Sequence, residues 1–268
     1  MNQELTSQIV ATAGLVLREF GNQIGYGKNN PKGCASLNFL ARSIRQLQAI
    51  DLLVQKSLIS DSWSLYRSLV ERYFLFVNLA DTNKFSVFDD WCFKKQYEIE
   101  NRIKSSSDLK NKPEVKKRRF SPKDKQRYER ISQDRLVKQW RRPNAEEVAR
   151  HLDLKFLYDA GYAHASSFVH PISTDGLDDY LHLMNRESEI KDEDADVLLS
   201  NSQLVTVLHI QHFLNQPEYK WHVTLYDLLD ALLDRNQDHS YKCSDLLRKV
   251  KIIHKTGTGL CQAKPTSS

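Results

Sequence analysis

Hydrophobic side chains recur every three or four residues along most of the chain, and no segment shows the strict alternation typical of a strand. Residues at this spacing lie on one face of an α-helix, which a protein buries against other helices. One such face, within residues 3–24, is formed by Ile9, Ala13, Val16, Leu17 and Phe20. The pattern predicts an all-α fold: a bundle of long antiparallel helices with a basic helical insertion, making a single helical domain over residues 1–268.

Residues that cap or break helices set the predicted boundaries in the first half of the chain. A stretch rich in glycine and asparagine at residues 21–33 is predicted to be a loop, because these residues tolerate turn conformations. A second helix is expected over about 36–59. Asp61 is placed to cap a third helix, which runs to about residue 80, and a fourth is expected over about 85–107.

The segment over residues 108–143 is predicted to be a basic insertion made of a linker and a helix. Ser121, Pro122 and Asp124 have the N-cap, N1 and N3 chemistry of a helix start, and the helix is predicted to run to about Arg141. The remaining helices are expected at about 144–151, 154–169, 194–215, 224–235 and 244–254, and residues 255–268 are expected to form a flexible tail.

All the excess positive charge of the chain lies in the basic insertion. The net charge is +5, but residues 110–142 carry 14 Lys/Arg against 4 Asp/Glu, a net of +10, which leaves −5 for the rest. Cations bind phosphates and aromatic rings stack on bases, so RNA or another nucleic acid is the expected partner. The residues predicted to contact it are Lys116, Lys117, Arg118, Arg119, Lys123, Lys125, Arg127, Arg130 and Trp140.

The alternative for the same segment is a solvated helix that docks on the bundle. In that case the apolar side chains contact other helices and the cations face water. The docking residues would be Tyr128, Ile131, Leu136 and Trp140.

Composition argues against several other classes of protein. The four cysteines are far apart, so neither a disulfide framework nor a structural zinc site is expected. His209 and His212 lack a third ligand, which favours core or surface histidines, and no metal or cofactor is expected. No apolar run reaches the roughly 20 residues of a membrane span, and no export signal is visible, so a cytoplasmic location is predicted.

A narrow polar stripe interrupts an otherwise apolar helix between Trp63 and Asn78. Side chains four residues apart lie on one face of a helix, and this face carries Ser64, Arg67, Ser68, Glu71 and Asn78. Such a helix must be largely buried. Charges inside a protein require partners or a functional role, so Arg67 and Glu71 are candidates for a polar interior site.

A second stripe with the same spacing consists of Tyr158, Tyr162, Ser166 and His170. It places two phenols, a hydroxyl and an imidazole on one helix face. The glycine and alanine residues beside it permit close approach of another helix or a ligand. His170 lies at the predicted end of the helix, where the helix dipole favours a protonated imidazole suited to act as an acid or a base.

The two stripes together resemble the pattern of a bacterial family of all-helical proteins of unknown function. The shared motifs are Arg-x-x-x-Glu and Tyr-x-x-x-Ser-x-x-x-His, at Arg67, Glu71, Tyr162, Ser166 and His170. The resemblance covers roughly residues 35–175 without the basic insertion. It implies a helical fold with a shared polar site, and it supplies no established reaction.

The chain is also loosely similar to the HEPN superfamily of helical bundles, many of which are metal-independent ribonucleases of toxin and antiphage systems. Their signature is Arg-x(4 to 6)-His, and the sequence departs from it where it should lie; the literal match is Arg248 to His254. The similarity implies an RNA substrate, a role in bacterial defence and a tendency to form homodimers. In such an enzyme, Arg67 and His170 would have to meet across helices.

The mechanism that this similarity implies assigns a role to each residue. Arg67 would bind a phosphate, and His170 would exchange protons with a ribose 2′-hydroxyl or the leaving oxygen. Glu71 would orient Arg67 or His170, and Tyr162 or Ser166 would donate to the phosphate. Two alternatives stay open: a non-catalytic module that binds nucleic acid or a protein, and a structural role in which both stripes only satisfy one another's hydrogen bonds.

Overall fold

Helices account for every regular element in the residues that the computed structural model describes, which are 3–24, 30–109, 111–113, 120–170, 176–184 and 192–216. No strand occurs in these ranges, so the predicted all-α fold is confirmed. None of the helices in them is both long enough and apolar enough to cross a membrane. The helices expected at 224–235 and 244–254 and the tail at 255–268 lie outside the described residues.

Five helices in the described residues are 21 residues or longer, and the others are short. A π-helix, Leu157–Ala163, leads directly into α8. The helices expected at about 3–24, 85–107, 144–151 and 194–215 are confirmed to within about two residues at each end. The α-helices are α1 (Gln3–Ile24), α2 (Pro31–Gln55), α3 (Ile59–Thr82), α4 (Phe85–Ser105), α5 (Pro122–Gln133), α6 (Arg135–Gln139), α7 (Ala145–His151), α8 (His164–Ser166), α9 (Leu177–Leu183) and α10 (Asp192–Leu214).

The chain divides into two compact units. Unit 1 comprises residues 1–78 and 143–268, and in it α2 packs against α1 and α10, which also contact each other. Unit 2 comprises residues 79–142, where α4 packs against α5 and α6. The described part of the basic segment is therefore packed with α4. The single domain predicted over 1–268, with a basic insertion at 108–143, stays a prediction.

Helix α3 supplies five of the six buried aromatic side chains among the described residues of unit 1. Its apolar residues cover nearly the whole helix surface, and a helix of that kind is stable only when it is buried. Full burial of one such side chain stabilises the fold by about 1.5–3 kcal/mol relative to exposure. The side chains of α3 that are at most 1% exposed include Tyr66, Leu69, Tyr73, Phe74 and Phe76.

Two helix starts differ from the sequence-based expectation. Helix α2 begins at Pro31, because the Asn30 side chain accepts a hydrogen bond from the Gly33 backbone N–H at 2.9 Å and caps the helix. The predicted loop over 21–33 is therefore too long. Helix α3 begins at Ile59, so the prediction that Asp61 caps it is wrong. Asp61 lies inside the first turn, where its negative charge interacts favourably with the helix dipole.

The basic helix starts where it was predicted to start, but it ends before the predicted residue. Ser121 and Asp124 form a complete capping box with Pro122 at the first turn. The helix predicted to reach about Arg141 is instead interrupted at Asp134, whose backbone is extended and whose carboxylate accepts a hydrogen bond from the Leu136 N–H at 2.7 Å. A side chain that caps a new helix competes with continuation of the old one, which explains the break.

Two histidines of α10 face the aromatic core of unit 1. His209 is fully buried, with its Nδ1 3.0 Å from the Ser43 hydroxyl and its ring 4.7 Å from that of Phe76. Burial, followed by the positive charges of Arg72 and His212, lowers the pKa of His209 to about 3. The imidazole is therefore neutral at neutral pH. Within the described residues, no group of three His, Cys, Asp or Glu side chains is arranged to hold a metal ion.

Acid should destabilise the protein through His209. Its pKa in the folded chain, about 3, is below the ordinary value of 6.5, so the unfolded chain takes up the proton first as the pH falls. The free energy of unfolding should decrease between about pH 6.5 and about pH 3, by up to about 1.4 kcal/mol per pH unit from this residue. Urea unfolding at several pH values, followed by circular dichroism, measures that slope.

The matched variants for this test are His209→Asn and His151→Asn. Asparagine at 209 keeps a polar group near Ser43 and does not titrate, so the slope should flatten although the protein loses stability overall. His151 is exposed at the end of α7, so His151→Asn removes a histidine outside the core, and the slope of His209→Asn should be the flatter of the two. A slope in His209→Asn equal to that of the unsubstituted protein would contradict the assignment.

Candidate functional site

Three side chains hold the guanidinium of Arg67 in place. Its Nε donates to the Ser166 hydroxyl at 3.0 Å, its Nη2 donates to the Tyr162 hydroxyl at 3.1 Å, and its Nη1 lies 3.4 Å from the Glu71 carboxylate. The structure thus brings together one polar stripe on α3 and another on the π-helix and α8. These four residues, Arg67, Glu71, Tyr162 and Ser166, are called the Arg67 cluster below.

The Arg67 cluster leaves part of the guanidinium for a ligand. Three of the five N–H groups of an arginine are engaged, and no described residue accepts a hydrogen bond from the other two. The Arg67 side chain is 21% exposed, so part of it is accessible to a molecule from solution. An arginine with its orientation set by neighbours and two donors left over is suited to bind a phosphate or carboxylate.

Glu71 gives the Arg67 cluster a second chemical function. Its carboxylate is 32% exposed, and at this exposure the ion pair with Arg67 contributes only a few tenths of a kcal/mol. The carboxylate reduces the net positive charge that an anion meets. The same carboxylate is a base placed beside the group that would bind the anion, which is an arrangement that acid–base catalysis requires.

The helix predicted over 154–169 is present over 155–166, but its centre is π-helical rather than α-helical. Residues 157–163 form a π-helix, α8 adds a single turn, and turns follow through His170. A π-helix inserts one residue into the helical repeat, and such insertions occur frequently at functional sites. The Ser166 hydroxyl donates to the Tyr162 carbonyl oxygen at 2.8 Å while it accepts from Arg67, so the local backbone orients the serine.

Gly161 lets the π-helix approach α3. A Cβ added at Gly161 would overlap the hydroxyl of Tyr66 and would lie 2.9 Å from the Tyr66 Cε1. Tyr66 is fully buried, and none of the described residues hydrogen-bonds to its hydroxyl. Burial also raises the pKa of Tyr66. A residue larger than glycine would therefore push the π-helix, and with it Tyr162, away from Arg67.

His170 lies one turn beyond Ser166, to whose carbonyl oxygen its backbone N–H donates at 3.2 Å. The residue is exposed. No hydrogen bond or ion pair joins its imidazole to another described side chain, and the Arg67 cluster forms without it. A joint site of Arg67 and His170 stays a prediction.

Sequence reasoning missed the contacts that anchor residues 164–168 to α3. The Ser64 hydroxyl donates to the Phe168 carbonyl oxygen at 2.9 Å. The His164 ring meets Trp63 edge-on at 4.8 Å between centroids, and Phe168 stacks on the same indole at 6.2 Å. Ser64 belongs to the polar stripe, and Trp63 precedes it, one turn before Arg67. This position is the sequence feature from which the contacts could have been predicted.

The aromatic side chains of the basic segment pack inside unit 2. Trp140 is only 8% exposed and lies 4.6 Å from Trp91 and 5.2 Å from Phe88, between ring centroids. Phe120 and Tyr128 both stack on Tyr97, at 3.9 and 4.1 Å. A base could stack on these rings only in place of an internal contact. Of the docking residues expected in the alternative, Ile131 is buried, whereas Leu136 is 63% exposed.

The eight cations predicted to contact nucleic acid fall into three groups. Arg127 is held by Asp89 at 2.6 Å and Asp90 at 2.7 Å, with its guanidinium 4.3 Å from the Phe93 ring centroid. Lys123, Lys125 and Arg130 are exposed, and none forms an ion pair with another described residue. A third group lies outside the described residues: Lys116, Lys117, Arg118 and Arg119.

Comparison with known proteins identifies a family model that matches the chain. A family model described as "Family of unknown function (DUF5677)" matches residues 34–189, more than half of the 268-residue chain. This confirms the resemblance to a family of unknown function, and the matched range includes every member of the Arg67 cluster. No curated protein and no solved structure matches the chain. The similarity to the HEPN superfamily stays a prediction.

Replacing Gly161 by alanine should destabilise the protein, and removing the Tyr66 hydroxyl should relieve the effect. Gly161→Ala should lower the free energy of unfolding by about 1–3 kcal/mol, as expected for overpacking. Tyr66→Phe removes a buried hydroxyl without a partner and should raise it by about 1 kcal/mol. In the Tyr66→Phe background, Gly161→Ala should lower the free energy of unfolding by less than it does in the unsubstituted protein. Denaturant unfolding of all four proteins provides the double-mutant cycle.

Gly14→Ala is the control for this cycle. Gly14 lies in α1 with no atom within 4 Å of an added Cβ, so alanine should stabilise the helix by up to about 1 kcal/mol. If Gly161→Ala and Gly14→Ala shifted stability in the same direction and by the same amount, the close approach of Gly161 to Tyr66 would have no energetic role.

Proposed function

We propose that this chain, which belongs to DUF5677, a family of unknown function, binds an RNA phosphodiester at the Arg67 cluster and cleaves it without a metal ion. In this proposal it is an HEPN-like ribonuclease, or a toxin-type effector of a bacterial defence system. One observation supports it above the others: three side chains orient a partly exposed Arg67, and two of its N–H donors have no partner among the described residues.

An oriented arginine stabilises the charge that develops during phosphoryl transfer. Attack of a ribose 2′-oxygen on phosphorus places additional negative charge on the non-bridging oxygens, and a guanidinium fork matches their geometry. Ser166, Tyr162 and Glu71 already hold the guanidinium, so little reorganisation is needed when the charge develops. Preorganised donors of this kind contribute about 100- to 1000-fold to a rate.

Glu71 and His170 are the groups proposed to move the protons. The Glu71 carboxylate removes the proton from the 2′-hydroxyl as the 2′-oxygen bonds to phosphorus. The bond from phosphorus to the 5′-oxygen breaks, and the His170 imidazolium donates a proton to that oxygen. The products are a 2′,3′-cyclic phosphate and a 5′-hydroxyl. The carboxylate beside Arg67 and the exposed imidazole one turn after Ser166 support this assignment.

Substitution of Arg67 should abolish RNA cleavage while leaving the protein folded. Arg67→Ala should reduce the cleavage rate about 100-fold or more, and Arg67→Lys should restore little, because lysine lacks the planar fork. Glu71→Gln should also reduce the rate, since glutamine can still accept a hydrogen bond from Arg67 but cannot accept the proton. A fluorescent single-stranded RNA incubated with EDTA measures the rate, and mass spectrometry identifies the cyclic phosphate.

Arg45→Ala is the control for the loss of a surface arginine, since Arg45 is exposed on α2 and should not affect cleavage. The melting temperature of each variant separates loss of chemistry from loss of fold. The ribonuclease proposal fails if EDTA abolishes cleavage, if Arg67→Ala cleaves at the original rate, or if Glu71→Gln does so while it stays folded.

A separate observation supports a second function, that of a non-catalytic module that binds nucleic acid. The exposed cations Lys123, Lys125 and Arg130 have no ion-pair partner among the described residues, as expected of side chains that bind phosphates. Arg127 and Trp140 already make internal contacts in unit 2 and are left out of this footprint. A module of this kind would bind RNA without cutting it.

Reversal of these three charges should weaken nucleic-acid binding and its dependence on salt. Replacing Lys123, Lys125 and Arg130 by glutamate removes three phosphate contacts, so the slope of log K against log salt should decrease by about 2 for a single strand. Fluorescence anisotropy of a labelled oligonucleotide at several salt concentrations measures the slope. The control is reversal of three exposed cations of unit 1, Arg45, Lys56 and Arg150. Equal slopes in both triple variants would refute a localised footprint.

A further inference from the structure

Tyr158 extends the Arg67 cluster by a second aromatic ring. Its ring stacks on that of Tyr162 with 5.5 Å between centroids and 20° between planes. The guanidinium carbon of Arg67 lies 4.9 Å from the Tyr162 centroid. A cation and two tyrosine rings thus lie next to one another on the surface of unit 1, and both tyrosines are half-buried.

The π-helix holds this pair of rings by its own buried residues. Leu157 is 1% exposed, and Gly161 rests against the fully buried Tyr66, so the residues beside each tyrosine are fixed in the core. The hydroxyl of Tyr162 accepts a hydrogen bond from Arg67, whereas no described residue forms a hydrogen bond with the hydroxyl of Tyr158. Tyr162 therefore has a hydrogen-bond partner, whereas the interaction that Tyr158 makes among the described residues is the ring contact with Tyr162.

An arginine and the aromatic rings beside it can bind the two parts of a nucleotide. The guanidinium binds the phosphate, and a flat ring stacks on the base, whose π-face is present in every nucleotide. In a duplex the bases are stacked on one another and are not exposed to a protein ring. A site with both features should therefore prefer an unpaired nucleotide.

We propose that Tyr158 and Tyr162 form a base-stacking platform, so that the Arg67 cluster selects single-stranded RNA with an unpaired base next to the bound phosphate. This inference rests on the proposed binding of a phosphodiester at Arg67. It adds the class of substrate: the site should prefer an unpaired nucleotide to a duplex and to an isolated phosphate.

The experiment compares two probes that carry the same phosphates. One is a fluorescein-labelled single-stranded 2′-O-methyl RNA, which lacks the attacking 2′-hydroxyl and is not cleaved. The other has the same backbone with abasic residues at its centre. The unsubstituted protein should bind the first about 5- to 150-fold more tightly, the range expected for one stacked base. A duplex of the first probe should bind about as weakly as the abasic strand.

Tyr158→Leu should remove the difference between the probes. Binding of the base-containing strand should fall to the abasic level, the abasic strand should be unaffected, and Tyr158→Trp should restore the preference because an indole also stacks. Tyr180→Leu is the matched control: Tyr180 is an exposed tyrosine of α9, 53% exposed, and its loss should change neither probe. The melting temperature of each variant confirms that it is folded.

The outcomes separate the platform from the phosphate site. If both probes bind equally and Arg67→Ala weakens both, the platform is wrong and the phosphate site stands. If Tyr158→Leu weakened the binding of both probes equally, the role of Tyr158 would be structural, and the platform would again be wrong. If Arg67→Ala changes neither probe, the proposed function itself fails, and the platform fails with it.

Discussion

Burial of α3 is the constraint on which the rest of unit 1 depends. A helix with aromatic or aliphatic residues on nearly every face must be surrounded by other elements, and Tyr66, Tyr73 and Phe76 are fully buried as a result. Apart from Arg72, which donates to the Gln46 side chain, the part of its surface between Trp63 and Asn78 that does not require an apolar neighbour is the polar stripe. That stripe must meet hydrogen-bonding groups or water, because a buried charge without a partner is costly. The π-helix and α8 supply those groups through Tyr162 and Ser166.

The distance between α3 and the π-helix decides what the polar stripe can do. Gly161 allows contact with the Tyr66 ring, and at that separation the Tyr162 and Ser166 hydroxyls reach Arg67 at 3.1 and 3.0 Å. A wider spacing would leave room for water between the stripes and would release the guanidinium. Gly161 is itself part of the π-helix. An unusual backbone segment and a charged side chain with spare donors therefore lie at the same close contact, around a glycine.

The basic segment shows how one composition can serve two physical purposes. Arg127 pairs with Asp89 and Asp90 and lies over the Phe93 ring, so this cation contributes to the packing of unit 2. Lys123 and Lys125 are on the same helix and face solvent. Charge counting along the chain treats the three residues alike. Their difference arises from the partners of Arg127 on α4, Asp90 and Asp89, which are 37 and 38 residues away in sequence.

The sequence by itself determined the all-α class, most helix positions, the capping box at Ser121 and the membership of the two polar stripes, because these depend on side-chain spacing and local backbone chemistry. Only the tertiary structure decided that Arg67 meets Tyr162 and Ser166 while His170 lies a turn away, that residues 157–163 form a π-helix, and that Trp140 is packed on Trp91. Each of these depends on contacts between residues far apart along the chain. Helical periodicity tells which residues share a face; it does not tell which other face they meet, or how closely.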